Sequence, residues 1–581
     1  PIYTWTANAY VNYTKTFAKK HNLNVMAGVN AEEEEYKYLY GTRNVMYDQE
    51  GYPELNMAGK DGQDLSWNHT SRASAGYFGR INYDYKGIYL LELNGRYDGS
   101  SRFPHTDQWA FFPSASIGYR FSEEAYFAPL KHIVSNGKLR ASFGEIGNEA
   151  VGDYMFEQLI SQRLNNKSTG YIYWIENNNA NANLLTMYNM PDLVSSTLTW
   201  ERIRTLNIGL DLGLLNDELT IGFDWFQREN RDMLAPAQVL PNTLGASAPY
   251  ENAGTLRTRG WELNLNWRHT FGDFDVYANF NIGDSKTKVT KWDNDSKLLS
   301  TYYTGKTYGD IFGFETDRYF EEKDFTSQNA DGSWNYANGI ASQAGLESGN
   351  FHYGPGDVKF KDLDGNGKID GGKGTADDHG DLKVIGNSMP RYEYSFHLGG
   401  AWKGIDLDLY FQGVGKREDW TTSSLNLPAM VHADVAIYSH QTSYNKVLWN
   451  SDYTAITGYE VNQGNRYPRL YRGTNNSGGT VSGIANGCNN YYPQSRYLTD
   501  MSYLRLKNVT VGYTLPKEWT RKAYIEKARI YFSGSNLFLL HKGNDLPVDP
   551  EISTGNGLTA GGWGRIAPIT RTFSFGVQVT L

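Results

Sequence analysis

The stretch LNIGLDLGLLNDELTIGFDW, residues 206–225, carries the pattern that decides the fold. Apolar residues alternate with Asn, Gly and Asp from Leu206 to Leu214, a turn follows, and the alternation resumes at Leu219. Because successive side chains of a strand point to opposite faces, the pattern predicts a hairpin with one apolar and one polar face. The same alternation recurs in residues 274–282, 392–398, 405–412 and 572–581.

The composition excludes one class of membrane protein and argues against one class of partner. The 581 residues include 43 Tyr, 26 Phe, 15 Trp and 61 Gly, a bias typical of β structure. No apolar run reaches the roughly 18 to 20 residues that a membrane-spanning helix needs, whereas alternating strands keep the mean hydropathy low, here −0.58. The net charge of −9, without a basic stripe, argues against nucleic acid. Cys488 is the only cysteine, which excludes internal disulfides and cysteine-based zinc sites.

Strand length and loop length together predict a membrane protein. A soluble strand averages about 5 to 6 residues and a tilted membrane strand needs about 9 to 11, and several alternating runs here reach ten or more. Short turns at residues 85–87, 271–273 and 403–404 alternate with long connections, as in outer-membrane proteins. We therefore predict an all-β fold, a transmembrane antiparallel β-barrel. Long extracellular loops are expected at about residues 41–70, 149–196, 291–389, 417–496 and 542–564.

The pattern predicts about fifteen strands. They are expected at residues 3–17, 21–40, 72–84, 88–100, 110–122, 138–148, 197–214, 218–236, 250–270, 274–290, 391–402, 405–416, 497–514, 527–541 and 565–581. An odd number does not close a single-chain bacterial barrel, and open edges in lipid would leave backbone groups unpaired. Residues 1–581 are therefore expected to be the C-terminal portion of a barrel of about 22 strands, with the plug and the first strands absent.

Several short segments give the chain a resemblance to the SusC-like, TonB-dependent outer-membrane transporters. They follow the family's order: residues 96–103 (RYDGSSRF), 112–114 (FPS), 138–144 (KLRASFG), 200–201 (WE), 252–254 (NAG), 260–262 (GWE), 385–387 (IGN), 503–508 (YLRLKN) and 536–538 (NLF). Each segment is weak alone, but their order and spacing are specific. Barrels of the family usually end in an aromatic residue, whereas this chain ends in Leu581.

The resemblance implies active import of a nutrient across the Gram-negative outer membrane, without catalysis. In the family a plug fills the barrel, a SusD-like surface lipoprotein caps its mouth, and TonB supplies energy through an N-terminal segment that we do not expect within these residues. Outer-membrane lipid surrounds the barrel, and a dimer of the transporter–lipoprotein pair is compatible with this assembly. Family substrates are mostly oligosaccharides, so we expect a glycan, with a peptide as the alternative.

Two other classes of function remain open at this point. A passive porin would have an even-stranded barrel without a plug. A surface glycosidase would have two carboxylates placed across a groove, and no acidic pair in this sequence has a recognisable scaffold.

Residues 362–370, DLDGNGKID, have the spacing of a calcium-binding loop. The predicted Ca²⁺ ligands are Asp362, Asp364, Asn366, the Lys368 carbonyl and Asp370. Position 12, where Glu usually stands, is Lys373, so a second acid has to come from Asp377, Asp378 or Asp381. The alternative is a polar Asx-turn loop without an ion. A bound Ca²⁺ would stiffen an extracellular loop rather than take part in chemistry, and no organic cofactor is expected.

Aromatic side chains in the loops are the candidate substrate contacts, because flat rings stack on sugar rings. The residues expected to touch substrate are Tyr173, Trp174, Tyr302, Tyr303 and Trp420. The alternative is that such rings form interfacial girdles or pack loops together. The polar strand face is predicted to line a water-filled lumen, because lipid would penalise its aspartates. These aspartates are Asp211, Asp224, Asp275, Asp406 and Asp408.

Overall fold

One antiparallel sheet of fifteen strands forms the main body of this computed structural model. The structure describes residues 1–43, 58, 64–158, 162–164, 186–188, 193–195, 198–236, 249–348, 351–420, 426–427, 438–470, 489–551 and 569–581. The strands are β1 Ile2–Phe17, β2 His21–Thr42, β3 Asp64–Tyr85, β4 Tyr89–Ser100, β5 Trp109–Tyr119, β6 Val134–Asn148, β7 Glu201–Leu214, β8 Leu219–Pro236, β9 Tyr250–Phe271, β10 Phe274–Lys291, β11 Arg391–Trp402, β12 Ile405–Lys416, β13 Tyr503–Thr514, β14 Lys527–Lys542 and β15 Thr572–Thr580. Their order in the sheet is their order in the chain, so the sheet is a meander.

The register of the sheet gives it two unlike faces. Leu139 of β6 lies opposite Leu210 of β7, which lies opposite Phe223 of β8, so apolar positions form rows across the strands. Polar positions form the rows between them on the other face, because the side-chain period of a strand is two. A recess of about 490 Å³ is lined by successive strands from Thr14 of β1 to Asn207 of β7, which requires the sheet to curve toward its polar face.

The predicted fold class and the predicted number of strands are confirmed, and the differences fall at strand ends. β3 begins at Asp64 rather than at 72, because β2 continues to Thr42 and the two strands stay paired up to that point. β13 begins at Tyr503 rather than at 497, because residues 499–500 pair with 418–419 in a separate ladder. β15 begins at Thr572 rather than at 565, and residues 565–568 of the predicted strand lie outside the described residues. Other ends shift by a few residues.

The two longest connections contain short strands of their own. Between β10 and β11 these are Asp310–Phe314, Thr316–Tyr319, Phe325–Gln328, Trp334–Tyr336, Val358–Phe360 and Leu382–Asn387. Between β12 and β13 they are Glu418–Asp419, Lys446–Trp449, Ile456–Glu460 and Thr499–Asp500. A further short pair, Gln162–Leu164 and Thr186–Tyr188, lies between β6 and β7.

The helical segments of the described residues are short. The α-helix is Lys517–Thr520, and the 3₁₀ turns are Phe121–Glu123, Ala125–Leu130, Glu322–Asp324, Ala344–Leu346, Ser439–Gln441, Asn489–Tyr491, Ser495–Tyr497 and Arg521–Ala523. Within the described ranges, none of the helices has the length and apolar character needed to cross a membrane.

Candidate functional site

A cluster of one arginine and two aspartates lies on the polar face of the sheet. Arg140 of β6 donates from Nε to Asp211 of β7 at 2.9 Å and from Nη1 to Asp224 of β8 at 2.7 Å. Its Nη2 donates a second bond to each carboxylate, at 3.0 Å and 2.7 Å respectively. Bidentate pairing of this kind fixes the position of the charges, because each carboxylate is held at two points.

Glycine makes room for this cluster on the polar face. A Cβ at Gly209 would lie 2.5 Å from the guanidinium carbon of Arg140. A Cβ at Gly222, on the same face, would have its nearest neighbour at 3.8 Å, an ordinary contact. A side chain at Gly209 would therefore displace the Arg140 guanidinium group, whereas one at Gly222 would fit.

The polar face continues into the C-terminal strands with two more bonded groups. Arg529 of β14 donates from Nε to Asp406 of β12 at 2.9 Å. Asp408 accepts from the hydroxyl of Tyr277 and lies 2.7 Å from Nε2 of His397. These aspartates, like the two beside Arg140, occupy the face on which the alternation predicted them. His397 lies in the same hairpin as Asp408, whereas Arg140, Tyr277 and Arg529 come from strands far from their partners in sequence, and no local pattern identified them.

The two longest connections pack around a shared apolar core, and together they form a body that we call the outer lobe. It comprises the described parts of residues 292–390 and 417–502. Its nearly fully buried core takes Phe314, Tyr319, Val358, Phe360 and Ile369 from the first connection and Leu427, Tyr467, Tyr491 and Tyr497 from the second. Because both connections supply the core, the lobe is one packed body rather than two independent loops.

A buried ion pair ties the two halves of the outer lobe together. Asp357, which is fully buried, accepts from Nε of Arg469 at 2.9 Å and from Nη2 at 2.7 Å. It also accepts from Nδ2 of Asn490 at 2.8 Å and from the backbone N–H of Gly354 at 2.8 Å. A buried carboxylate with these donors avoids the cost of an unpaired charge and fixes the relative position of the two connections.

Two carboxyl groups of the outer lobe titrate in opposite directions. Burial raises the pKa of Asp419 to about 6, and the nearby Arg417 opposes this shift only in part. Near the surface, hydrogen-bonded ion pairs with Lys361 and Lys383 lower the pKa of Glu315 to about 2. The lobe therefore contains one carboxyl group that takes up a proton in mild acid and another that stays ionised.

Three acidic side chains converge at the predicted calcium loop. Carboxylate oxygens of Asp362, Asp364 and Asp381 all lie within 4.8 Å of one another. Asp381 is fully buried and accepts from the backbone N–H groups of Leu363 at 2.6 Å and Asp370 at 3.0 Å. Hard oxygen donors of this kind suit Ca²⁺. Of the three acids considered for the place of the missing Glu, Asp381 is the one that lies beside Asp362 and Asp364.

The other residues of the calcium loop have local roles. The Asn366 side chain accepts from the Lys368 N–H at 2.8 Å, and Asp370 accepts from the Gly372 N–H at 2.8 Å. Asp377 lies 2.9 Å from Nζ of Lys297. Asp378 lies 3.6 Å from Nζ of Lys373. These two acids pair with lysines and are not among the converging carboxylates.

The predicted aromatic contacts lie in different surroundings. The Tyr302 ring stacks on Tyr308 with centroids 5.8 Å apart and meets Trp292 edge-on at 5.0 Å. Nζ of Lys306 lies 6.0 Å from the Tyr302 centroid and 5.7 Å from that of Tyr303. Burial raises the pKa of Tyr302 to about 12.

Trp420 is partly buried against the core of the outer lobe, a position that favours a packing role for part of its surface. Tyr173, Trp174 and Cys488 lie outside the described residues.

The sequence of this chain is similar to those of TonB-dependent receptors. The model of the family described as TonB dependent receptor-like, beta-barrel matches residues 2–377. TonB-dependent receptor P3 of Formosa agariphila is 27% identical, over 98% of this chain and 51% of that protein. TonB-dependent receptor SusC of Bacteroides thetaiotaomicron is 24% identical, over 95% of this chain and 48% of that protein. The chain spans about half the length of the curated relatives it matches.

Solved structures share the fold. The structure of the RagAB peptide transporter superimposes with a TM-score of 0.67 at 18% identity, covering 93% of this chain and 52% of that one. The RagAB peptide importer in its open-open state gives 0.67 over 100% of this chain and 54% of that one, also at 18% identity. At this identity the likeness establishes the barrel architecture and nothing about the ligand.

Proposed function

The chain belongs to the TonB dependent receptor-like β-barrel family, and from this premise we propose that it forms part of the wall of an active nutrient importer in the outer membrane. The observation that carries the proposal is the contrast between the two faces of the sheet. One face carries the hydrogen-bonded charges of Arg140 and its aspartates, which suits an aqueous lumen. The other exposes large apolar side chains such as Ile117, Phe575 and Val577, which suits lipid.

The proposed substrate is an oligosaccharide. Tyr302, Tyr303 and Lys306 place two rings and a cation together in the outer lobe, a combination that can stack on a sugar ring and bond its hydroxyls. A peptide is the second candidate, because the similar RagAB structure is titled a peptide transporter. We also propose a SusD-like lipoprotein over the lobe, TonB as the energy source, and no enzymatic activity, as the family resemblance implies.

The test is uptake by the intact system. A host lacking the transporter is complemented with the full-length protein and supplied with labelled oligosaccharides or peptides. Oligosaccharide uptake that needs both TonB and the lipoprotein is expected. Peptide uptake alone would overturn the glycan assignment, and passive, TonB-independent flux through the purified protein in liposomes would replace the importer by a porin.

A matched pair of variants tests the aromatic site in the same assay. Tyr302→Ala with Tyr303→Ala should reduce oligosaccharide uptake about tenfold, because a stacked ring contributes about 1 kcal/mol or more. Tyr453→Ala is the control, since Tyr453 is an exposed lobe tyrosine, 77% accessible. Equal uptake by all three proteins would exclude the site.

We further propose that residues 362–381 bind Ca²⁺ as a structural ion of the outer lobe. The convergence of Asp362, Asp364 and Asp381 supports this proposal. Calcium should protect this segment of the full-length protein from proteolysis, and Asp364→Asn should remove the protection. Asp377→Asn, which removes an acid directed to Lys297, should keep it. Identical cleavage with calcium and with a chelator would contradict the proposal.

A further inference from the structure

A group of charged side chains crosses the apolar face of the sheet at its outer-lobe end. The register of β6 to β10 aligns Glu145, Arg204, Glu229, Arg257 and Lys288 in one row. The row below it contains Leu206, Gln227, Arg259 and Lys286, and Arg202 lies opposite Arg231 in the row above. All share the side-chain direction of Leu210 and Phe223, because the pairing is regular between them. These side chains therefore point away from the polar face.

Tryptophans set the depth of this group relative to the lipid. Trp225 and Trp261 lie opposite each other immediately below the charged rows. From Trp261, β9 continues to Phe271 at the short turn, and a tilted strand crosses a membrane in about 9 to 11 residues. Aromatic girdles mark both edges of the apolar belt of such proteins. The charged rows thus begin where the lipid headgroups begin.

The charge in these rows is mainly positive, although the whole chain carries −9. We call the seven cations the basic band: Arg202, Arg204, Arg231, Arg257, Arg259, Lys286 and Lys288. Only Glu145 and Glu229 oppose them in the same rows, and both carboxylates are buried beneath the arginines. The remaining positive charge is exposed on the outside of the sheet.

The two buried carboxylates hold the arginines in place. Glu145 accepts from Nε of Arg204 at 2.9 Å, and Glu229 accepts from Nη2 of Arg231 at 2.6 Å and from Nε of Arg257 at 2.7 Å. The guanidinium groups are thereby positioned before any ligand binds, which lowers the entropy lost on binding. Arg259, Lys286 and Lys288 are exposed beside them.

We propose that the basic band binds the phosphate groups of the phosphorylated glycolipids of the outer leaflet. Arginine is suited to this role because its planar fork bonds phosphate at two points, and exposed lysines add charge. The two tryptophans sit at the matching depth for the sugar–acyl boundary. A second copy of the chain is a poorer occupant, because a two-fold interface that sets this patch against itself would oppose cations with cations. The inference rests on the outer-membrane placement proposed above.

The experiment uses the full-length transporter in mild detergent and fluorescent deep-rough lipopolysaccharide as the probe. The variant Arg259→Gln/Lys286→Gln/Lys288→Gln should weaken binding roughly tenfold to a hundredfold, because each of the three removed cations contributes a similar several-fold gain in affinity for the anionic lipid. The matched control is Arg521→Gln/Lys517→Gln/Lys522→Gln, which removes the same residue types from the exposed turn at the opposite end of the strands. The control should bind like the unaltered protein.

Further measurements distinguish a lipid site from a free-anion site and from a protein interface. The dephosphorylated glycolipid should bind the unaltered protein and the band variant equally, and millimolar inorganic phosphate should compete only weakly with the phosphorylated lipid. Equal affinity of the unaltered and band-variant proteins for the phosphorylated lipid overturns the proposal. So do full displacement by inorganic phosphate, which would mean a free-anion site, and dissociation of an oligomer in the band variant, which would mean a protein interface. Substrate uptake is measured separately, so an importer without lipid binding contradicts only this inference.

Discussion

Removal of Arg469 should loosen both halves of the outer lobe at once. In Arg469→Met the fully buried Asp357 keeps its bonds from Asn490 and Gly354 and loses two bonds from the guanidinium group. Breaking a buried pair from one side typically costs 3 to 5 kcal/mol, and the remaining donors place this case at about 3 kcal/mol. That cost corresponds to about a hundredfold rise in local opening.

Hydrogen exchange of the full-length protein measures this opening. The backbone N–H of Arg469 donates to Gly356 at 3.0 Å, and that of Gly356 donates to Phe320 at 2.8 Å, so both connections have reporter amides. Lys446→Met is the control: it removes one positive charge from the exposed Lys446–Glu460 pair, which should contribute under about 1 kcal/mol. Unchanged exchange in either connection, or equal acceleration in the control, would refute the view that the pair joins the two halves.

Two further predictions concern the strands and the pH response. Gly209→Ala should lower the free energy of unfolding by about 1 to 3 kcal/mol in denaturant, because the new methyl group displaces Arg140. Gly222→Ala is the control and should change stability little. Equal effects of the two substitutions would show that Gly209 is not needed to make room for Arg140. The pKa of Asp419 is raised to about 6 in the folded protein from an ordinary 3.8. The protonated carboxyl group therefore contributes fully to stability below pH 3.8, and this contribution is lost as the pH rises through 6. Asp419→Asn should therefore stabilise the lobe at pH 8 by up to about 3 kcal/mol relative to the unaltered protein and much less at pH 4, a difference that thermal unfolding at both pH values would reveal or exclude.

The sheet was predictable from sequence because the alternation of apolar and polar residues can be recognised within each strand alone. Residues 206–225 and the similar runs fix which side chains share a face, and the fifteen predicted strands are found in the predicted order. The TonB dependent receptor-like β-barrel family, to which the ordered segments pointed, is also confirmed. Strand ends were less predictable: β3 extends to Asp64 because β2 offers a pairing partner that the alternation of β3 alone does not reveal.

The outer lobe was not predictable, because its contacts join residues far apart in the chain. Asp357 and Arg469 are separated by 112 residues and carry no motif that connects them. The calcium loop was predictable from sequence only in part. Spacing alone named Asp362 and Asp364, but the choice among Asp377, Asp378 and Asp381 depended on the path of the chain after the loop.

The order of the strands also has a consequence for how the protein folds. Five pairs of neighbouring strands are joined by turns of two to four residues, so these hairpins close quickly and at little entropic cost: β1–β2, β3–β4, β7–β8, β9–β10 and β11–β12. The pairs β10–β11 and β12–β13 are different, because each must close across one of the connections that build the outer lobe. Folding is therefore expected to proceed from rapidly formed blocks of hairpins, with the joining of these blocks and the assembly of the lobe occurring late and together.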